Sequence, residues 1–404
     1  MARFRCRKQL RCKFLHLDKP VPLHSICFPG PKKDVPALLL SLRTFDYGSR
    51  EIGAPMMSIP SFRSHGCLWI ILSLLVFVCA NVAAFGAAPP QDNESTPNAL
   101  PLGTVTVLGS ATCLSGATRG AACTSVSVSC PGVPDLKATL SQAFPVGAPK
   151  GTIILVSGHG GTTFFNSSFA NTYLGDGYRV VQLAWATDWE DSGGVSLKSA
   201  ACRGATAFKY VFDNVQAGDR TTGFCAQGTS GGGAAISYSL GHYGLSDYFD
   251  YVVIAAGPGV SRMDYGCDKP LYKGGALNLC PLLTNAPYAY FNGTKVNTWE
   301  NTTTCAVKPP LQSDIDKWAA DSIVTTGANY SYPKTNMSWF FCVTPPVNNS
   351  TGEGKFLIDQ VIPKNPADVN CYSGVCKGEA VWQDKAAFNT THTQMLSQCV
   401  GNHQ

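Results

Sequence analysis

Charge is the scarcest property of this sequence. Asp, Glu, Lys and Arg make up 14% of the 404 residues, well below the roughly 25% usual in soluble domains. The positive excess is confined to the front of the chain. Residues 1–100 hold 12 of the 31 Lys and Arg and 6 of the 26 Asp and Glu, leaving 19 basic against 20 acidic residues from position 101 onward. A near-neutral body offers no basic stripe to a phosphate backbone, so nucleic acid is not an expected partner. The sequence also lacks a Cys-x-x-Cys pair or a Cys/His cluster at ligand spacing, and neither a metal nor a cofactor is expected. It has no internal repeat and no low-complexity array. Histidine is sparse: beyond residue 100 there are only His159, His242, His392 and His403. Gly, Pro, Ser, Thr, Asn and Cys are plentiful instead, the composition of an exported chain.

The front of the chain explains its own charge. From Gly66 to Pro90 no residue is charged; Arg63 precedes an apolar run, and Val82-Ala83-Ala84 and Phe85-Gly86-Ala87 offer small residues for cleavage. Residues 56–88 therefore read as a signal peptide cut between Ala84 and Ala88, or as a signal anchor, since about 19 apolar residues just span a bilayer. Residues 1–55 are then an extension that is either untranslated or cytosolic, and membrane contact is expected only if the leader is an uncleaved anchor. Residues 89–103, rich in Pro and polar side chains, form a linker.

Cysteine usage agrees with export. Five of the 17 cysteines precede the cut, and the twelve that follow, from Cys113 to Cys399, allow up to six disulfides. Asn93, Asn166, Asn292, Asn301, Asn329, Asn336, Asn348, Asn349 and Asn389 each open an Asn-x-Ser/Thr sequon for glycosylation.

Within residues 104–404, short apolar runs alternate with stretches at helical spacing. "TIILVS", "YRVVQLAW", "FCAQG", "YVVIAAG" and "SWFFCVT" have the look of buried parallel strands, and the rhythm predicts an α/β domain with a doubly wound, mostly parallel sheet. Residues 260–335, with Cys267, Cys280 and Cys305 and no strand rhythm, form a disulfide-rich insertion.

Gly228-Thr229-Ser230-Gly231-Gly232 matches G-x-S-x-G at the end of one of these strands and ahead of a run of small residues that starts a helix. A sharp strand-to-helix turn holds its central residue in strained backbone, and its glycines avoid a Cβ clash. Ser230 thus reads as a nucleophile, which needs a base. His242 lies on the helix leaving the turn, His403 is penultimate, and His159 stands in a glycine loop, so His392 is the expected base by elimination. In "SGHGGTT", Gly160 or Gly161 is expected to supply one backbone N–H to an oxyanion, with Gly231 supplying the other.

His-Gly-Gly, then G-x-S-x-G, then a late histidine is an order that resembles the α/β-hydrolase superfamily of lipases, esterases and related serine hydrolases. The resemblance covers roughly residues 130–400. It implies a Ser-His-acid hydrolase acting on a small-molecule or lipid ester through an acyl-enzyme. The third member departs from the pattern. The loop after the strand "SWFFCVT", residues 342–354, has no aspartate; Glu353 is its nearest carboxylate, Asp359 lies on the next helix, and Asp264, after the preceding strand, is the preferred acid. Asp264 can equally be a salt-bridge partner of Arg262 or a turn cap. A hydrolase-fold binding protein without catalysis, and a peptidase or acyltransferase on the same fold, are the alternatives.

Overall fold

The computed structural model describes residues 99–268, 293–305, 307–344, 349–365 and 367–401. The chain divides into two units, Met1–Phe85 and Gly86–Gln404, and the described residues belong to the second. The extension, the leader and most of the linker lie outside them, as do Asn93, Asn292, Asn348, Cys280 and His403. No helix among the described residues is long and apolar enough to cross a membrane.

Nine strands make one sheet in the order β1-β2-β3-β5-β4-β6-β7-β8-β9. Strands β1 (Thr104–Ala111), β2 (Ala122–Cys130) and β3 (Val133–Ala143) form an antiparallel meander that joins the rest through β3 and β5. Strands β4 (Gly151–Val156), β5 (Arg179–Trp185), β6 (Gly223–Thr229), β7 (Tyr251–Ala255), β8 (Asn336–Cys342) and β9 (Ala367–Tyr372) are all parallel. Between and after them run α1 (Ser167–Gly175), α2 (Cys202–Tyr210), α3 (Gly231–His242), α4 (Met263–Cys267), α5 (Gly293–Glu300), α6 (Gln312–Asp321), α7 (Asn349–Val361) and α8 (Lys385–Gln398).

The two faces of the sheet follow from the period of two in a strand. Ile154 and Val156 of β4, Val252 and Ile254 of β7, and Trp339 and Phe341 of β8 share one core with α2 and α3. Their alternates Ile153 and Leu155, Val253 and Ala255, and Phe340 and Cys342 enter a second core with Phe169 and Tyr173 of α1 and Met395 of α8. Burial on both faces is why these strands read as unbroken apolar runs. The doubly wound sheet is therefore as expected, with the antiparallel meander added to it.

Between β7 and β8 the described residues of the insertion include the helices α4, α5 and α6, and Cys267 at the end of α4 is bonded to Cys305 in the segment after α5. Four further disulfides join Cys113–Cys123, Cys130–Cys202, Cys225–Cys399 and Cys342–Cys376, and Cys371 is disulfide-bonded as well. The parallel strands end together, so the loops after β4, β5, β6, β7 and β9 leave from one edge. That edge carries the site.

Candidate active site

Ser230 is the residue between β6 and α3, and its backbone sits at φ 50°, ψ −114°. This is a conformation an L-residue holds only under strain, of order 1–3 kcal/mol, when its surroundings fix it. They do so here. Ser230 N–H donates to Ala255 O of β7 at 2.9 Å, and Ser230 O accepts from Ala234 N at 2.9 Å in the first turn of α3. The glycines that follow are required by close approach: a Cβ on Gly231 would stand 2.2 Å from His159 O, and one on Gly232 2.4 Å from Val156 O. A strained serine at a strand-to-helix turn on the carboxyl edge of this sheet decides the architecture. The chain has an α/β-hydrolase fold.

The loop after β4 packs against this hydrolase elbow. Ser157 Oγ donates to Thr163 O at 2.5 Å, and Trp189 N donates to Gly160 O at 3.0 Å. A Cβ on Gly160 would meet Asp188, its Oδ1 2.3 Å away. Of the two glycines expected to serve the oxyanion, Gly161 has its N–H engaged with Gly158 O at 3.1 Å.

Two expected members of the site are engaged by other partners. His392 bonds through Nε2 to Asp176 Oδ2 at 2.6 Å and its ring lies 5.9 Å from that of Tyr173. Asp176 follows α1 and comes three residues before β5 starts, at the amino edge of the parallel strands. Ser230 is at their carboxyl edge, about five residues of strand or roughly 17 Å away. The physical reason is the direction of α8: it runs back from the carboxyl edge until Cys399 is bonded to Cys225 near the start of β6. His392 is carried away from Ser230 by its own helix. Asp264 is 2% exposed and takes Arg262 in a two-pronged pair, Nε to Oδ1 at 2.8 Å and Nη2 to Oδ2. The salt-bridge alternative describes it, and no hydrogen bond among the described residues joins Asp264 to a histidine.

The remaining candidates hold other posts. Glu353, on α7, is 1% exposed and accepts from Ser261 N at 2.8 Å, fastening the loop after β7. Burial pushes its carboxyl well above the usual range; the Ser261 N–H opposes that and Asp264 adds to it. Asp359 lies half-buried on the same helix. His242 is buried at the end of α3 with Nε2 3.1 Å from Ile323 O, and burial pushes it down to about 4. His159 is exposed. Among the described residues none of these imidazoles is hydrogen-bonded to Ser230.

The side chain that does reach Ser230 is a carboxylate. Ser230 Oγ donates to Glu379 Oε1 at 2.9 Å, and Glu379 Oε2 lies near Gly158, 3.8 Å from where a Cβ would sit there. Glu379 belongs to the loop after β9, fixed at both ends. Cys376 is bonded to Cys342 at the end of β8, while Val381 is buried and Trp382 packs edge-on against Phe165 and Phe169. Asp384 then caps α8 through Ala386 N at 2.8 Å. A second carboxyl, Glu190 in the loop after β5, is 8% exposed, with Oε1 3.1 Å from the position of a Gly231 Cβ. Burial pushes it up to about 7, against the pull of Lys295 and with the repulsion of Asp188 and Glu379. Neither glutamate figured among the sequence candidates. "GVCKGEAVWQD" gives one sign of Glu379, a carboxylate between a cysteine and the last helix.

Among solved structures, a carboxyl esterase of the mycorrhizal fungus Tuber melanosporum is 12% identical, with 80% of this chain and 98% of that one covered at a TM-score of 0.41. An esterase of Pyrobaculum calidifontis is 14% identical, covering 69% and 85% at 0.43. A brefeldin A esterase, described as a bacterial homologue of human hormone-sensitive lipase, is 14% identical, covering 85% and 88% at 0.41. No family model matches the chain, and no curated protein does. At these identities and scores the likeness carries nothing about substrate or residue roles.

Proposed function

We propose that this chain is an exported serine hydrolase that cleaves carboxylic esters through an acyl-enzyme on Ser230. The observation that carries the reading is the strained backbone of Ser230 at the strand-to-helix turn, with its hydroxyl already donating to a fixed acceptor at 2.9 Å. A serine held there presents its Oγ at the edge of the sheet, and we assign the oxygen that gains charge to the backbone amides of Gly231 and Gly160, Gly161 N–H being engaged with Gly158 O. Such donors are worth about 10²–10³ in turnover each. Five disulfides among the described residues fit an oxidising compartment.

The ester is a small molecule or a lipid. A groove of about 510 Å³, lined by Thr187, Asp188, Lys295 and Trp299 among others, lies beside Gly160 through Asp188, and we assign one part of the substrate to it. The test is turnover of a panel of p-nitrophenyl esters by the purified chain and by Ser230→Ala. Loss of turnover in the variant, at unchanged folding, supports the reading. An inert wild type favours the alternative of a hydrolase-fold binding protein, for which a carboxylate rather than an imidazole at Ser230 speaks.

A further inference from the structure

Resting on Ser230 as the nucleophile, we propose that Glu379 is its proton acceptor in place of a histidine, and that Glu190 is a positioning carboxyl beside the oxyanion donors that works only in its protonated form. The first half follows from contact. Ser230 Oγ has a carboxylate oxygen at 2.9 Å, within hydrogen-bond reach for proton transfer, whereas His392 is bonded to Asp176 at the other edge of the sheet. The loop that carries Glu379 leaves the last parallel strand and is locked by the Cys342–Cys376 bridge and by the cap of α8. The acceptor is thus tethered on both sides in sequence.

The chemistry balances with one carboxylate. Glu379 takes the Oγ proton as Oγ bonds to the ester carbonyl carbon, and the carbonyl electron pair moves onto oxygen between the Gly231 and Gly160 amides. Collapse breaks the carbon–alkoxy bond; the alkoxy oxygen keeps that pair and takes the proton from Glu379, leaving acyl-Ser230. Water then attacks with Glu379 again accepting a proton, which returns to Oγ as the acid departs. One water is consumed for one ester cleaved.

Glu190 supplies the second half. Its Oε1 lies beside Gly231, where an ionised carboxylate opposes a developing oxyanion. The charged groups facing it are Asp188 from its own turn, Lys295 from α5 and Glu379 from the loop after β9, with the exposed His159 on the neighbouring loop. Its carboxyl is pushed up to about 7, so it is neutral in acid and charged in base. The expected profile is activity on the acid side of neutrality with a fall above pH 7, opposite to the rise that a histidine base gives as it loses its proton.

The experiment is a kcat/KM–pH profile of the full chain from about pH 4 to 9 for wild type, Ser230→Ala, Glu379→Gln, Glu379→Asp, Glu190→Gln and His392→Gln, with fluorophosphonate labelling of each. Expected are a loss of about 10²–10⁴-fold in Glu379→Gln, partial rescue in Glu379→Asp, and disappearance of the alkaline fall in Glu190→Gln. A wild-type rate that rises through neutrality overturns the role of Glu190. Glu379→Gln within about threefold of wild type, while Ser230→Ala is dead, overturns the base and leaves the nucleophile standing. Failure of wild type to label or turn over overturns the nucleophile itself.

Discussion

Ser230 and Glu379, 149 residues apart in sequence, are joined by a hydrogen bond of 2.9 Å from hydroxyl to carboxylate. The serine end of that bond is held in a conformation with φ 50°, which costs an L-residue about 1–3 kcal/mol and a glycine little. Ser230→Gly is therefore expected to be inactive yet at least as stable as wild type, by up to about 2 kcal/mol. Denaturant melts of the two proteins check this. A variant destabilised by more than about 1 kcal/mol would mean that the turn is not strained in solution.

His392 and Asp176 form a partly exposed pair at the amino edge of the sheet, with side chains 25% and 31% exposed. Pairs of that exposure contribute roughly 0–1 kcal/mol. His392→Gln should lose no more than this in stability and leave esterase turnover within about threefold, measured on the same ester as wild type. A loss of about a thousandfold would return His392 to the catalytic role that the sequence suggests.

The sheet was legible where both its faces are buried. "TIILVS" and "YVVIAAG" are continuous apolar runs because β4 and β7 face a core on each side. The elbow was legible too, since close approach demands Gly231 and Gly232 in sequence and in space. Strands β2 and β3 carry only an alternating pattern, with Val126, Val128 and Cys130 inward, and that weaker period went unread beside the glycines and serines. β9, "ADVNCY", is half-exposed at the edge of the sheet and reads as loop. Missing β9 hides the loop after it, and with it Glu379. The surroundings of His392 are hidden for a related reason: elimination by spacing cannot tell which way α8 runs. Nothing local in "ATDWEDSGG", Ala186 to Gly194, marks Glu190 as buried; that follows from how its loop packs, with Trp189 buried beside it.

Glu300 is buried with Oε1 accepting from Leu197 N at 2.7 Å and the Asp321 carboxyl nearby. Burial, and then Asp321, push it up to about 9. Its folded pKa is above its unfolded one, so its stabilising contribution is complete below pH 4.5 and is lost as pH rises towards about 9. The melting temperature should decline across that window, and Glu300→Gln, neutral throughout, should flatten the decline. Parallel slopes for the two proteins would show that Glu300 is already ionised in the folded state at neutral pH.

Activation of Ser230 is the claim on which the rest depends. Intact-mass and peptide analysis of the purified chain after treatment with a fluorophosphonate reads it directly, with Ser230→Ala treated in parallel. The account predicts one adduct per chain, located on the peptide that contains Ser230 and absent from the variant. An unmodified wild type, or an adduct that persists in Ser230→Ala, would contradict it.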